Sequence, residues 1–118
     1  MKTSTSIYII LFASIGLGCA QEMKKENLVK HIETLAADSY EGRGTGTAGE
    51  ERAARYIEAQ FRKMKLKPMG ENKTYRQEFV FKGGMHGTGP EGKTRHVVGY
   101  LDNKADQTIV IGAHFDHL

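Results

Sequence analysis

The stretch TIVIGAHFDHL, Thr108 to Leu118, decides the fold. Its first part, TIVIGAH, is a nearly continuous apolar run preceded by the polar turn DNKADQ. A short run of this kind, rich in β-branched residues and without an alternating polar face, predicts a strand covered on both faces. Covering both faces takes layers of helix on a sheet, so the expectation is an α/β fold.

The residues upstream supply such layers. Leu28, Ile32, Leu35 and Ala36 recur at helical spacing and predict an amphipathic helix over about 24–37. A polar, glycine-rich loop follows from Asp38 to Gly46. Thr47 and Glu50 then form a capping box, TAGE, opening a second helix whose apolar stripe is Ala54, Ile57, Phe61 and Met64. That helix ends before Pro68 and Gly70. From there the period changes. TYRQEFVF (Thr74 to Phe81) and HVVGYL (His96 to Leu101) read as strands, joined by a glycine-rich loop from Lys82 to Arg95.

Two glycine motifs invite a nucleotide reading, and their flanks argue against it. GTGPEGKT, Gly87 to Thr94, fits the P-loop pattern, yet a P-loop needs a helix starting at its Lys-Thr end to hold phosphate on backbone N–H groups. Here Lys93-Thr94 runs into a strand former. GTGTAG, Gly44 to Gly49, fits the dinucleotide fingerprint, but the residues before it come off a helix, where that fold requires a strand. Both loops are read as connections without nucleotide chemistry.

The 118-residue chain has room for one domain and carries a formal net charge of +3. Met1-Lys2, the apolar run Ile7 to Leu17 and the small residues that follow have the anatomy of a secretory signal over residues 1–20. The expected product is exported, to the periplasm or the extracellular space. Gly18-Cys19-Ala20 fits two processing routes: cleavage after Ala20, or lipidation of Cys19 to give a membrane-anchored lipoprotein. Cys19 is the only cysteine, which excludes an internal disulfide and a cysteine zinc cage. The basic cluster Arg62, Lys63, Lys65 and Lys67 lies at the end of the second predicted helix, where cations complement the dipole. No basic-aromatic interleaving accompanies it, so no nucleic-acid partner is expected.

The candidate chemistry lies in GAHFDHL. Alternate residues of an extended chain share a face, so His114 and Asp116 project to one side. The Asp116 carboxylate can then accept the N–H of one imidazole nitrogen and leave the other free to bind a metal. An ordinary hydrogen-bonded pair at a strand end has the same residues. His117 points to the opposite face. His31 and His86 read as solvated, and His96 as a strand-edge residue.

The order EGRGTGTAGEE, VVGYL, GAHFDHL resembles the N-terminal part of a secreted zinc aminopeptidase of the M28 peptidase family, from about Leu28 to Leu118. The resemblance implies that residues 21–118 are the N-terminal part of a catalytic domain: the helices and first strands of a zinc-exopeptidase-type mixed sheet. It implies two zinc ions (Zn2+), a peptide substrate losing its amino-terminal residue, His114 as a zinc ligand and Asp116 as the acid that orients it. His96 stands where the family commonly has asparagine. The family's remaining ligands follow the H-x-D strand, past Leu118, and Glu22, Glu50 and Glu51 are not substitutes, because the resemblance places them away from the metals. A chain truncated there is expected to hold one ligand and to be inactive by itself. The alternatives are a non-catalytic exported binding protein on the same scaffold and, within the same fold, a glutaminyl cyclase.

Overall fold

The computed structural model describes residues 24–83 and 91–117. The signal segment, Cys19, His86, Leu118 and the first residues of the GTGPEGKT loop lie outside them. Two helices come first, α1 (Lys25–Ala36) and α2 (Ala48–Lys63). They are followed by four strands: β1 (Lys67–Pro68), β2 (Arg76–Lys82), β3 (Glu91–Val97) and β4 (Gly99–Tyr100). Helix and sheet are both present, as an α/β class requires. The sheets are two antiparallel two-stranded ladders, β2 with β3 and β1 with β4.

Between the helices the chain makes tight turns, with positive φ at Glu41, Gly42, Arg43 and Gly46. At Gly46 (φ +79°) a Cβ would lie 3.0 Å from the Phe81 ring. At Gly49 a Cβ would lie 2.0 Å from the Tyr40 carbonyl oxygen, so the first turn of α2 sits directly on the preceding turn. Gly46 and Gly49 of GTGTAG therefore have a packing explanation that involves no phosphate.

α2 begins as its capping residues predict, with one change. Thr47 Oγ1 accepts the Glu50 N–H at 3.3 Å, while the Glu50 carboxyl reaches back past Thr47 to accept the N–H of Gly46. Glu50 and Glu51 occupy its first turn and Arg62 and Lys63 its last, each sign favourable to the dipole. Of the expected stripe, Ala54 is buried, Ile57 and Phe61 are half-buried and Met64 is exposed. The small core consists of Ala53, Ala54 and Tyr75, the last donating its hydroxyl to the Leu66 carbonyl at 2.6 Å and meeting Phe61 edge-on. The apolar face of α1 is not buried. Ile32, Leu35 and Ala36, with Ile57 and Phe61 of α2, line a cleft of about 1020 Å³ whose lining also includes Thr108 to Phe115.

Two strand expectations need correction. Glu91 to Arg95, expected in a loop, belong to β3, with Lys93 opposite Val80 and Thr94 opposite Phe79. Pairing with β2 satisfies the backbone of these residues and overrides the local glycine signal. Lys93-Thr94 thus runs along a strand, and among the described residues no helix begins there. The segment HVVGYL is divided. Val98 leaves the β2–β3 ladder, donating to the Tyr75 carbonyl at 2.7 Å, and Gly99-Tyr100 pairs instead with β1.

The largest correction concerns Thr108 to Asp116. Among the described residues no strand pairs with this segment, and Ile109, Val110 and Ile111 are 88%, 89% and 92% exposed. An apolar run becomes a buried strand only where neighbouring strands and covering layers meet it. The described residues supply neither, and the doubly covered strand is not formed. The segment returns to the rest of the chain at its end, in an isolated parallel bridge between Gly44 and His117.

Candidate functional site

The bridge at His117 brings two distant stretches of sequence together. The His117 N–H donates to the Arg43 carbonyl at 2.9 Å, so residues 115–117 lie against the turn that precedes α2. Arg43 in turn donates its guanidinium to the Leu35 carbonyl at the end of α1. The GTGTAG loop, read as a plain connection, is in fact the surface on which the H-x-D segment rests.

Within that contact His114 Nδ1 lies 3.2 Å from Asp116 Oδ1, the same-side arrangement that i, i+2 spacing in extended chain dictates. Asp116 is two-thirds or more covered, whereas the His114 side chain is 96% exposed. The second carboxylate oxygen, Asp116 Oδ2, accepts the hydroxyl of Thr45 at 2.7 Å. Nothing in the sequence beyond its place inside the glycine loop points to Thr45. The Thr45 hydroxyl, and after it the His114 ring, hold the Asp116 carboxyl below the usual carboxylate range, against the opposing effect of burial. Nδ1 faces the carboxylate, so the neutral tautomer that can donate to Asp116 is the one protonated on Nδ1, and that tautomer presents Nε2 as a lone-pair donor to solvent.

A cleft of about 410 Å³ adjoins the pair, lined by Phe79, Thr94, Arg95, His96 and residues 112–116. His96 stacks on Phe79 with ring centroids 4.5 Å apart, a strand-packing role in keeping with its position opposite Gln77. His31 departs from the solvated reading: its Nδ1 lies 2.6 Å from the Tyr56 hydroxyl and ties α1 to α2.

The acidic residues of α2 are engaged elsewhere. Glu50 is fully buried and takes hydrogen bonds from the Thr94 hydroxyl and the Gly46 N–H. Glu51 pairs with Arg55 at 2.6 Å, with Arg76 at 3.1 Å and with Arg95. Glu58 meets Arg76 at 2.5 Å and Arg62 at 3.2 Å. Part of the basic cluster at the end of α2 is likewise paired, Arg62 with Glu58 and Lys67 with Asp102.

A catalytic zinc site takes about three protein donors. Among the described residues no three His, Cys, Asp or Glu side chains converge. The residues present fit a single imidazole ligand with its orienting acid, and do not by themselves complete a centre. The chain matches no protein-family model, no curated protein and no solved structure.

Proposed function

We propose that these residues belong to an exported zinc-dependent aminopeptidase of the M28 type, in which His114 is a metal ligand and Asp116 the acid that orients it. The observation that carries this reading is the ordered chain Thr45 hydroxyl, Asp116 carboxylate, His114 imidazole, with the far ring nitrogen open. An ordinary surface histidine pair has no need of a third group bracing the acid. On this reading the helices and ladders are the beginning of the zinc-exopeptidase sheet, and the apolar segment Thr108 to His114 is a strand of that sheet where neighbouring strands meet it.

Zinc, when bound, would activate a water and polarise the scissile carbonyl of a peptide. The contribution of these residues is narrower. His114 offers one neutral nitrogen, Asp116 fixes which nitrogen that is, and Thr45 holds Asp116. The further donors that a two-zinc centre needs are not among the described residues.

The test is to read the coding frame beyond the Leu118 codon and to assay its product on peptides with free amino termini. The expected frame supplies an aspartate, paired acidic residues and a late histidine. Its product releases amino-terminal residues in a chelator-sensitive way and loses that activity on His114→Ala. A continuing frame without those residues, or activity that His114→Ala leaves intact, sinks the aminopeptidase reading.

A further inference from the structure

We propose that Thr45 is a positioning residue: its hydroxyl fixes the Asp116 carboxylate, which in turn fixes the tautomer and direction of the His114 ring. The inference rests on the reading of His114 as a metal ligand for its purpose, though not for its geometry. A carboxylate in open solvent rotates about its last bond and meets an exposed imidazole in many ways. Here the Thr45 hydroxyl holds Oδ2 at 2.7 Å, leaving Oδ1 for His114 Nδ1 at 3.2 Å.

Thr45 is itself braced on both sides. Before it, the backbone at Arg43 and Gly44 meets His117, through the His117 N–H to Arg43 carbonyl bond of 2.9 Å and the parallel bridge. After it, the Gly46 N–H is held by the buried Glu50 carboxyl, which is fixed in turn by the Thr94 hydroxyl of β3. Gly46 sits at φ +79° against the Phe81 ring, so the loop has no room to slide toward the ladder. Thr47 Oγ1 donates to the Gly44 carbonyl at 2.6 Å and closes the turn around Thr45. The β2–β3 ladder and α2 therefore set the position of one hydroxyl, and that hydroxyl sets the acid on the H-x-D segment. Glu50 acts through this loop and touches neither His114 nor Asp116.

The experiment compares the full chain with Thr45→Val and Thr45→Ser by nitrogen NMR of labelled histidine. His114 is assigned from His114→Gln, at a pH well above the ordinary histidine range so that the ring is neutral. In the wild type the His114 proton is expected on Nδ1. Thr45→Ser, which keeps the hydroxyl, should retain that tautomer. Thr45→Val should shift the population toward the Nε2-protonated form that a free imidazole favours. Amide shifts of α2 and β3 report whether the valine variant folds, and Thr45→Ala replaces it if it does not. A wild-type ring protonated on Nε2 overturns the proposal. So does a Thr45→Val or Thr45→Ala spectrum identical to wild type, or a serine variant that behaves like valine.

Adding zinc alone separates this from the metal reading. If zinc moves the His114 Nε2 resonance, Thr45→Val should weaken that binding by roughly tenfold or more, as loss of an outer hydrogen-bond partner does. Equal zinc binding by both forms overturns the positioning role. No zinc response at His114 in the product of the frame read past the Leu118 codon, with the tautomer still dependent on Thr45, would overturn the metal reading alone.

Discussion

Thr94 of β3 donates its hydroxyl to Glu50 of α2, and both side chains are buried, at 4% and 0% exposure. This bond is a buried polar link between helix and ladder, and it lies one step from the Gly46 N–H that the same carboxyl accepts. A buried carboxyl oxygen that loses its donor has no water to replace it. Thr94→Val keeps the shape and removes the hydroxyl. It should lower unfolding stability by about 1–3 kcal/mol. Urea unfolding with an unchanged slope and a lower midpoint is the expected result. An unchanged midpoint would mean that the Glu50 carboxyl finds another donor in the folded state.

Gly49→Ala offers a sharper test of the turn before α2. On helix propensity alone the change favours the helix by about 1 kcal/mol. The new Cβ, however, would stand 2.0 Å from the Tyr40 carbonyl oxygen, and backbone is on the other side of the clash. The net effect should be destabilising by about 1–3 kcal/mol, with loss of amide protection concentrated at residues 40–50. A stabilised variant would show that α2 starts later than the Thr47 cap indicates.

Helix positions were legible because their signals are local, even for α1, whose apolar face is not buried. Thr47 caps α2, Lys65 with φ +57° reverses the chain after it, and the apolar spacing of α1 matches Lys25–Ala36. Strand positions were less legible. Glu91 to Arg95 carry glycine, lysine and arginine and look like loop, and only the presence of β2 opposite makes them strand. TIVIGAH errs in the other direction: its residues favour a strand, but strand is a relation to a neighbour, and the described residues provide none. The pair His114 and Asp116 was readable from spacing alone. Thr45 was not, because it lies 71 residues away and its partner is chosen by tertiary contact.

Asp102 supplies the pH dependence. Hydrogen bonds from Lys104 and then Lys67, whose ammonium groups lie 2.8 Å and 2.9 Å away, lower its pKa to about 2 from the ordinary 3.8. A depressed carboxyl pKa favours the folded contacts above the unfolded value, and that preference disappears as pH falls through the folded one. The Lys67–Asp102 tie between β1 and the residues after β4 should therefore persist down through pH 3.8 and loosen near pH 2. Carbon NMR of the Asp102 carboxyl should give that midpoint. Lys104→Ala should raise it more than Lys67→Ala does. The opposite order would place the main partner on β1.

Ile109, Val110 and Ile111 stand exposed on backbone that no described strand pairs. Unpaired N–H and C=O groups beside β-branched side chains form a template for another copy of the same segment. The full chain should therefore self-associate as its concentration rises, and a single charge in the middle of the run should oppose it. Val110→Lys tests this without disturbing the fold, because the valine side chain buries nothing that a lysine would forfeit. Sedimentation velocity should show less association for Val110→Lys than for wild type, while the unfolding free energies agree within about a few tenths of a kcal/mol. Equal association would assign the contact to a different surface. A lower unfolding midpoint would show that the run is packed in solution, and the segment from Thr108 to Ala113 would then be part of a sheet.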